Sequence, residues 1–286
     1  MIDVNQIVTG EKIQTIADVY IGNNYYFNYN PFISTQTHKF KDISVFDDNI
    51  NYDNPRIIFC YGDLLNHFAK IIHLFTNPFI LITHNSDENI NYRTDKYVID
   101  ILNCPKLIRW HAQNVNCLHE KLHFIPIGIA NRQWEHGNLS MYQFINDNYN
   151  IHSMKNKGVF MNFKIETNPG KRMICYETLF TKVPFLQFTS SLDNILRMVE
   201  YKFCICPDGN GIDTHRLWEC FYLQVVPIVL TSDFTRNIQQ KTGLPMILLN
   251  SWNNFDRITL PKYEIFDFEP GQKYLTYNHY VREIIS

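Results

Sequence analysis

From Phe203 to Glu219 the chain reads Phe-Cys-Ile-Cys-Pro-Asp-Gly-Asn-Gly-Ile-Asp-Thr-His-Arg-Leu-Trp-Glu, an apolar strand, a turn and the opening of a helix. Gly209 and Gly211 permit tight turning and close backbone approach to a ligand. Asp213 or Thr214 suits the helix N-cap, and the first-turn N–H groups beyond it attract an anion. Arg216, one turn in, adds a charge-assisted contact to a phosphate. Glu219, three residues later on the same side, is placed to accept hydrogen bonds from ribose hydroxyls. Asp208, Asn210 and His215 complete this candidate anion site. An ordinary strand–turn–helix junction has the same outline. Thr214 stands where a third dinucleotide-binding glycine would be, and there is no Gly-Lys-Ser/Thr, which demotes a dinucleotide oxidoreductase or a P-loop kinase.

A second basic junction is Phe160-Met-Asn-Phe163 followed by Thr167-Asn-Pro-Gly-Lys-Arg172. Pro169 can occupy the first turn of a helix. Lys171 and Arg172 then lie near the helix N-terminus, where cations oppose the dipole, and an anionic ligand would offset this. A solvated basic turn would read the same way.

The elements that must hold these residues follow an α/β pattern, short apolar runs alternating with amphipathic stretches. Strands are expected at Val19–Ile21, Arg56–Tyr61, Phe79–Thr83, Lys106–Trp110 and His123–Ile127, with a helix over Asp63–Phe75 whose Leu64, Phe68, Ile71, Ile72 and Phe75 share a face. The polar stretch Asn146–Gly158 reads as a linker. Strands are then expected at Val159–Phe163, Phe185–Gln187, Lys202–Cys206 and Val225–Leu230. Helices near Lys171–Phe180, Leu192–Tyr201 and Asp213–Leu223 separate them. This divides the 286 residues into a first domain, 1–150, and a second, 151–272. A closing helix (Lys273–Ile285) is free to pack back on the first domain. Ligands of such folds bind at the carboxyl ends of strands, here in a cleft between two halves.

A net charge of -2 without basic runs excludes broad capture of nucleic acid or an anionic membrane surface. No apolar stretch approaches the roughly 18–20 residues of a spanning helix. Met1–Gly10 lacks a signal-peptide pattern, so the expected location is cytoplasmic. The seven cysteines are an odd count set mostly in apolar runs, as for buried free thiols. Cys204-Ile-Cys206 has no second pair at metal-type spacing, so no metal is expected.

Further blocks are Ile82-Thr-His-Asn-Ser-Asp87, Trp110-His-Ala-Gln-Asn114, Ile125-Pro-Ile-Gly-Ile-Ala-Asn131 with Trp134-Glu-His-Gly137, and Val226-Pro-Ile-Val229. Together with Asn162-Phe163, Arg172 and the 206–219 segment they fall in one order over about half of the chain. In that order they resemble the exostosin-like, family 47-type glycosyltransferases, in particular compact viral and microbial forms similar to xylosyltransferases. The resemblance implies a GT-B fold of two Rossmann-like domains, an inverting reaction, and a UDP-sugar donor held mainly by the second domain. Arg172 and Arg216 would hold the diphosphate and Glu219 the ribose, with an oligosaccharide or glycan as acceptor. Gln224-Val225 before Val226-Pro227 departs from the family, which often has a glycine there.

Inverting transfer needs a base for the acceptor hydroxyl and charge stabilisation on the departing diphosphate. No Asp-x-Asp for a metal occurs, so arginines and a helix N-terminus would serve instead, and the co-substrate replaces any cofactor. Asp87, in the loop after Phe79–Thr83, is the first candidate base and His84 the second. Asn85-Ser86-Asp87 is equally good capping chemistry, and His84 suits a structural role. His111 and Gln113 are candidate acceptor or donor contacts. Gly128, Asn131 and Trp134 could line the cleft, with core packing the other reading of Trp134, and His136 ranks lower as a base.

Overall fold

The computed structural model describes residues 3–21, 56–257 and 260–286. Two parallel sheets, of five and four strands, alternate with helices in an α/β arrangement. The chain forms two compact units, Val8–Ile127 with Tyr277–Ser286, and Met1–Ile7 with Gly128–Thr276.

In the N-terminal unit, β1 (Val19–Ile21), β2 (Ile57–Tyr61), β3 (Phe79–His84), β4 (Leu107–Ala112) and β5 (Leu122–Phe124) pair in sequential order. Each crossover therefore steps the same way across the sheet. Every residue of β2 and β3 is buried, because both faces of a parallel sheet are covered. Phe59, Ile80 and Ile82 pack on one face with Ile13 of α1 (Gly10–Gln14) and with Tyr280 and Ile284 of the closing helix α9 (Tyr277–Ile285). On strand alternation Phe79 points the other way, and its ring lies 6.2 Å from Phe68 and 5.2 Å from Phe75. Those two rings come from α2 (Leu65–Ile71) and the turn after it, so the helix expected over 63–75 is α2 with a 3₁₀ turn at each end. Helix α3 (Lys96–Leu102), not anticipated from the sequence, packs beside α2.

The C-terminal unit carries β6 (Lys157–Phe160), β7 (Tyr201–Ile205), β8 (Val226–Leu230) and β9 (Ile247–Leu249), again in sequential order. Its helices are α4 (Ser140–Asn148), α5 (Pro169–Leu179), α6 (Ser191–Met198), α7 (His215–Tyr222) and α8 (Asp233–Thr242). Local chemistry sets their ends. The Asn168 side chain caps α5 ahead of Pro169, and Ser190 caps α6. Ser232 and Thr235 form a capping box on α8, which ends at Gly243 in the left-handed region, φ 70°.

Three features differ from the sequence reading. Residues 185–187 are not a strand: Leu186 N–H bonds the Met161 carbonyl at 2.9 Å, while its own carbonyl takes the Asn162 side chain, so no ladder forms. Helix α8 and strand β9 extend the second sheet beyond Leu230. The stretch 146–158 lies inside the C-terminal unit, its first residues completing α4 and its last two opening β6. Helix α4 joins this unit because Met141, Tyr142 and Ile145 are buried, the Tyr142 ring 6.2 Å from that of Tyr222. Among the described residues no helix is long and apolar enough to cross a membrane.

Within that stretch Lys155 is buried, and its ammonium donates to the carbonyls of Val199 at 2.7 Å and Leu223 at 2.8 Å. These are the C-caps of α6 and α7, where a cation suits the helix dipole. Burial outweighs this and lowers the Lys155 pKa to about 7. Between there and the ordinary value of 10.5 the unfolded chain binds a proton that the folded chain has released. Stability should therefore rise with pH across that window, by up to about 1.4 kcal/mol per pH unit. Urea unfolding at several pH values checks this. Lys155→Met should flatten the slope, and an unchanged slope would assign the pH dependence to other groups.

Candidate functional site

Strand β7 ends in the segment that the sequence singles out. Cys206 N–H still bonds the Ile228 carbonyl at 2.9 Å, and the chain then leaves the sheet. Gly209 N–H donates to the Gly211 carbonyl at 3.0 Å, closing a small loop, with Asn210 exposed at its tip. Thr214 holds the N-cap position of α7, yet its side chain makes no capping hydrogen bond. Asp213 is buried instead, accepting from Trp218 Nε1 at 2.6 Å, which pins the turn to the second turn of the helix.

The first turn of α5 grips the same loop. Arg172 Nε donates to the Asp208 carbonyl at 2.9 Å and Nη1 to the Lys164 carbonyl at 2.8 Å. Asn168 Nδ2 reaches the Gly209 carbonyl at 2.6 Å. Lys171 pairs with the Asp208 carboxylate at 2.7 Å, at the surface, where such a pair stabilises little. The two basic junctions read separately in the sequence thus form one assembly.

Arg216 lies deeper. Its Nε donates to Glu219 Oε2 at 2.9 Å, its Nη1 to the Asn162 carbonyl at 2.8 Å, and its guanidinium stacks 5.6 Å from the Phe160 ring centroid. Burial works against its charge, but the Glu219 carboxylate beside it outweighs burial and holds its pKa above the ordinary arginine value. Arg172 differs: burial and then the Arg216 charge draw its pKa down, and its hydrogen-bond acceptors are backbone carbonyls. An anion between the two guanidiniums would remove that repulsion. Glu219, read from sequence as a ribose contact, is buried and engaged with Arg216.

The remaining C-terminal candidates gather on the first residue of α7. His215 Nδ1 donates to the Gly128 carbonyl at 2.8 Å, and its ring is 5.9 Å from that of His136. His136 in turn lies under Trp134, 6.5 Å between centroids at 24°. Trp134 is 56% exposed, which sets aside the core-packing reading and leaves an open aromatic face beside the helix N-terminus. Asn131 sits half-buried at the start of this loop.

The N-terminal unit holds the other group, at the carboxyl ends of β2, β3 and β4. His84 is buried, with Nε2 donating to the Pro126 carbonyl at 2.9 Å and Nδ1 accepting the Asn85 N–H at 2.8 Å. Both ring nitrogens are thereby committed, a structural role. A Cβ on Gly10 would stand 1.8 Å from Asn85 Oδ1, so only glycine lets α1 approach this turn. Gln113 uses both ends of its amide on the turn, accepting from Asn85 N–H at 3.0 Å and donating to the Ser86 carbonyl at 2.9 Å. His111 is buried and stacks on His123 at 5.2 Å. Asp87 is exposed at the end of the turn.

No model of a known protein family matches this chain. No curated protein sequence matches it either.

Three groups escaped the sequence reading. Beside Asp87, burial and then the charges of Asp63, Asp95 and Asp87 raise the Glu88 carboxyl above the ordinary value, a shift suited to proton transfer. Next to Glu219, the Tyr142 hydroxyl is buried without a hydrogen-bond partner, and burial followed by the Glu219 charge raises its pKa. Beneath Arg216, the sulfurs of Cys204, Cys206 and Cys220 all lie within 4.8 Å of one another. The first signal is an acidic run legible in principle, whereas the other two depend on docking of distant segments. Two hollows of about 520 and 500 Å³ open elsewhere in the C-terminal unit, around Tyr263 and around 146–152, and none of the candidate residues lines them.

Trp218→Phe tests how the turn is held. It removes the donor to a buried carboxylate and should lower stability by about 1.5–3 kcal/mol. Urea denaturation reads the loss, and a change under about 0.5 kcal/mol would mean that the indole does not hold Asp213.

Proposed function

We propose that this chain is an inverting glycosyltransferase of the GT-B kind, moving a sugar from a UDP-sugar to a hydroxyl of an oligosaccharide or glycan. Xylose is the first donor sugar to test. The observation that carries the reading is the nearness of two guanidiniums at the β7–α7 junction: Arg172, which holds the Asp208 carbonyl, and Arg216 in the first turn of α7, whose like charge adds to burial in drawing the Arg172 pKa down. A diphosphate is the anion that such a pair, next to a helix start without a side-chain cap, accommodates best. The ordered blocks that resemble family 47-type enzymes name the donor class.

In this reading the acceptor O–H gives its proton to a carboxylate as its oxygen bonds the anomeric carbon. The bond from that carbon to the diphosphate breaks, and UDP leaves with the charge, which Arg172, Arg216 and the helix N-terminus stabilise. Asp87 remains the first candidate base, and Glu88, with its raised pKa, replaces His84 as the second. Trp134 offers an open face on which a sugar ring can stack. The reaction needs no metal, the arginines taking its place.

A second reading, a non-catalytic nucleotide-binding relative, is favoured by one observation: His84, the only imidazole among the two first-ranked bases, has both nitrogens engaged. It predicts UDP binding without turnover.

Calorimetric titration with UDP and a panel of UDP- and GDP-sugars tests the donor. Arg172→Ala should weaken UDP binding by about 1.5–3 kcal/mol, since a charged hydrogen bond is lost. Unchanged affinity would remove the donor assignment. With an acceptor in hand, Asp87→Asn should slow transfer roughly 100-fold or more and leave UDP binding intact. Near-normal transfer would move the base to Glu88. Transfer should also persist in excess chelator, and a strict metal requirement would contradict the arginine clamp.

A further inference from the structure

Cys204 and Cys206 are two residues apart at the end of β7, so they point to the same face of the sheet. Helix α7 packs against that strand and brings Cys220 down to them. All three are buried, the sulfurs of Cys206 and Cys220 are 3.6 Å apart, and no pair exceeds 4.8 Å. Three sulfurs bound to one cation at about 2.3 Å form a triangle with edges near 4 Å. The observed spacing is already of that size, so a central ion would need only small side-chain movements.

The ligand set selects among ions. Among the described residues the group holds three thiols and neither an imidazole nor a carboxylate. Zinc in structural sites takes four ligands, and this group supplies three. Soft sulfur ligands favour copper in its monovalent state, which a purely sulfur set suits. Three thiolates and one monovalent cation leave two negative charges, and the Arg216 guanidinium against the cluster, shared with Glu219, offsets part of them.

We propose that Cys204, Cys206 and Cys220 form a three-thiolate site for a soft monovalent cation, Cu(I). As each sulfur bonds the ion, any proton it carries leaves to solvent, and no change of oxidation state is involved. The ion would tie β7 to α7 directly beneath Arg216. This site is independent of the proposed transferase chemistry.

The test uses the full chain, reduced, freed of reductant and handled without oxygen, against Cu(I) held by a chromophoric chelator. The protein should withdraw one cation per chain, read from the fall in chelator absorbance. Cys220→Ser and Cys204→Ser should each weaken binding by more than the roughly 10–100-fold that changing an outer-shell partner costs. Cys175→Ser, outside the cluster, should leave it unchanged. Should the cluster variants fail to fold, X-ray absorption of the loaded native chain decides, with three sulfurs near about 2.3 Å expected. No withdrawal of copper, oxygen or nitrogen in its coordination shell, or binding untouched in folded cluster variants would overturn the proposal.

Discussion

A guanidinium cannot sit inside a protein unless its charge and its N–H groups are met, and Arg216 organises its surroundings around that requirement. Glu219 meets the charge, the Asn162 carbonyl takes Nη1, and the Phe160 face covers the plane. Asn162 is oriented in turn by its bond to the Leu186 carbonyl. The end of β6 and α7 therefore meet at Arg216, and the 185–187 passage is joined to them through Asn162. Removing it would leave a buried carboxylate and a displaced loop, which makes Arg216 a poor residue for reading binding alone. Arg172 is the better probe, since its hydrogen-bond acceptors are carbonyls and no carboxylate is hydrogen-bonded to it as Glu219 is to Arg216.

The two sides of the candidate chemistry contrast in how their polar groups are used. In the N-terminal unit the turn after β3 is closed by its neighbours, with His84, Gln113 and Asn114 all spent on backbone groups of residues 85, 86 and 126. What stays exposed is Asp87 and its acidic neighbour Glu88. The turn therefore presents two outward carboxylates, while the side chains behind it are already engaged with its backbone.

Much of this arrangement was legible in the sequence, and the parts that were not share a cause. Strands β1 to β4 and the β7–α7 junction are apolar runs bounded by glycine, proline or capping residues, so local pattern suffices to place them. The run at 185–187 has the same composition but follows Pro184 and gives its carbonyl to a side chain, a choice made by Asn162 from a distance. Helix α8 carries its signals openly in Ser232, Thr235 and Gly243, a local pattern that suffices to place it. Residues 146–158 look like a linker because they are polar and mostly exposed; what ties them into the unit is Lys155, whose carbonyl partners at the ends of α6 and α7 are far away in sequence. The role of Glu219 changed for the same reason, as spacing put it on the face of Arg216 but could not tell whether it faced a ligand or the arginine.

The path of the chain between the two units has a bearing on how the protein is made. Residues 3–7 belong with the C-terminal unit, and the last ten residues return to the N-terminal one. Tyr280 and Ile284 of α9 are wholly buried in the first sheet's core. A growing chain would thus have all five strands of that sheet outside the ribosome long before the helix that seals one face has been synthesised. Folding unit by unit from the N-terminus, the usual course for multidomain chains, cannot finish here. Until translation reaches α9, that face has only the α1 segment to cover it, and the apolar surface that Tyr280 and Ile284 bury stays exposed.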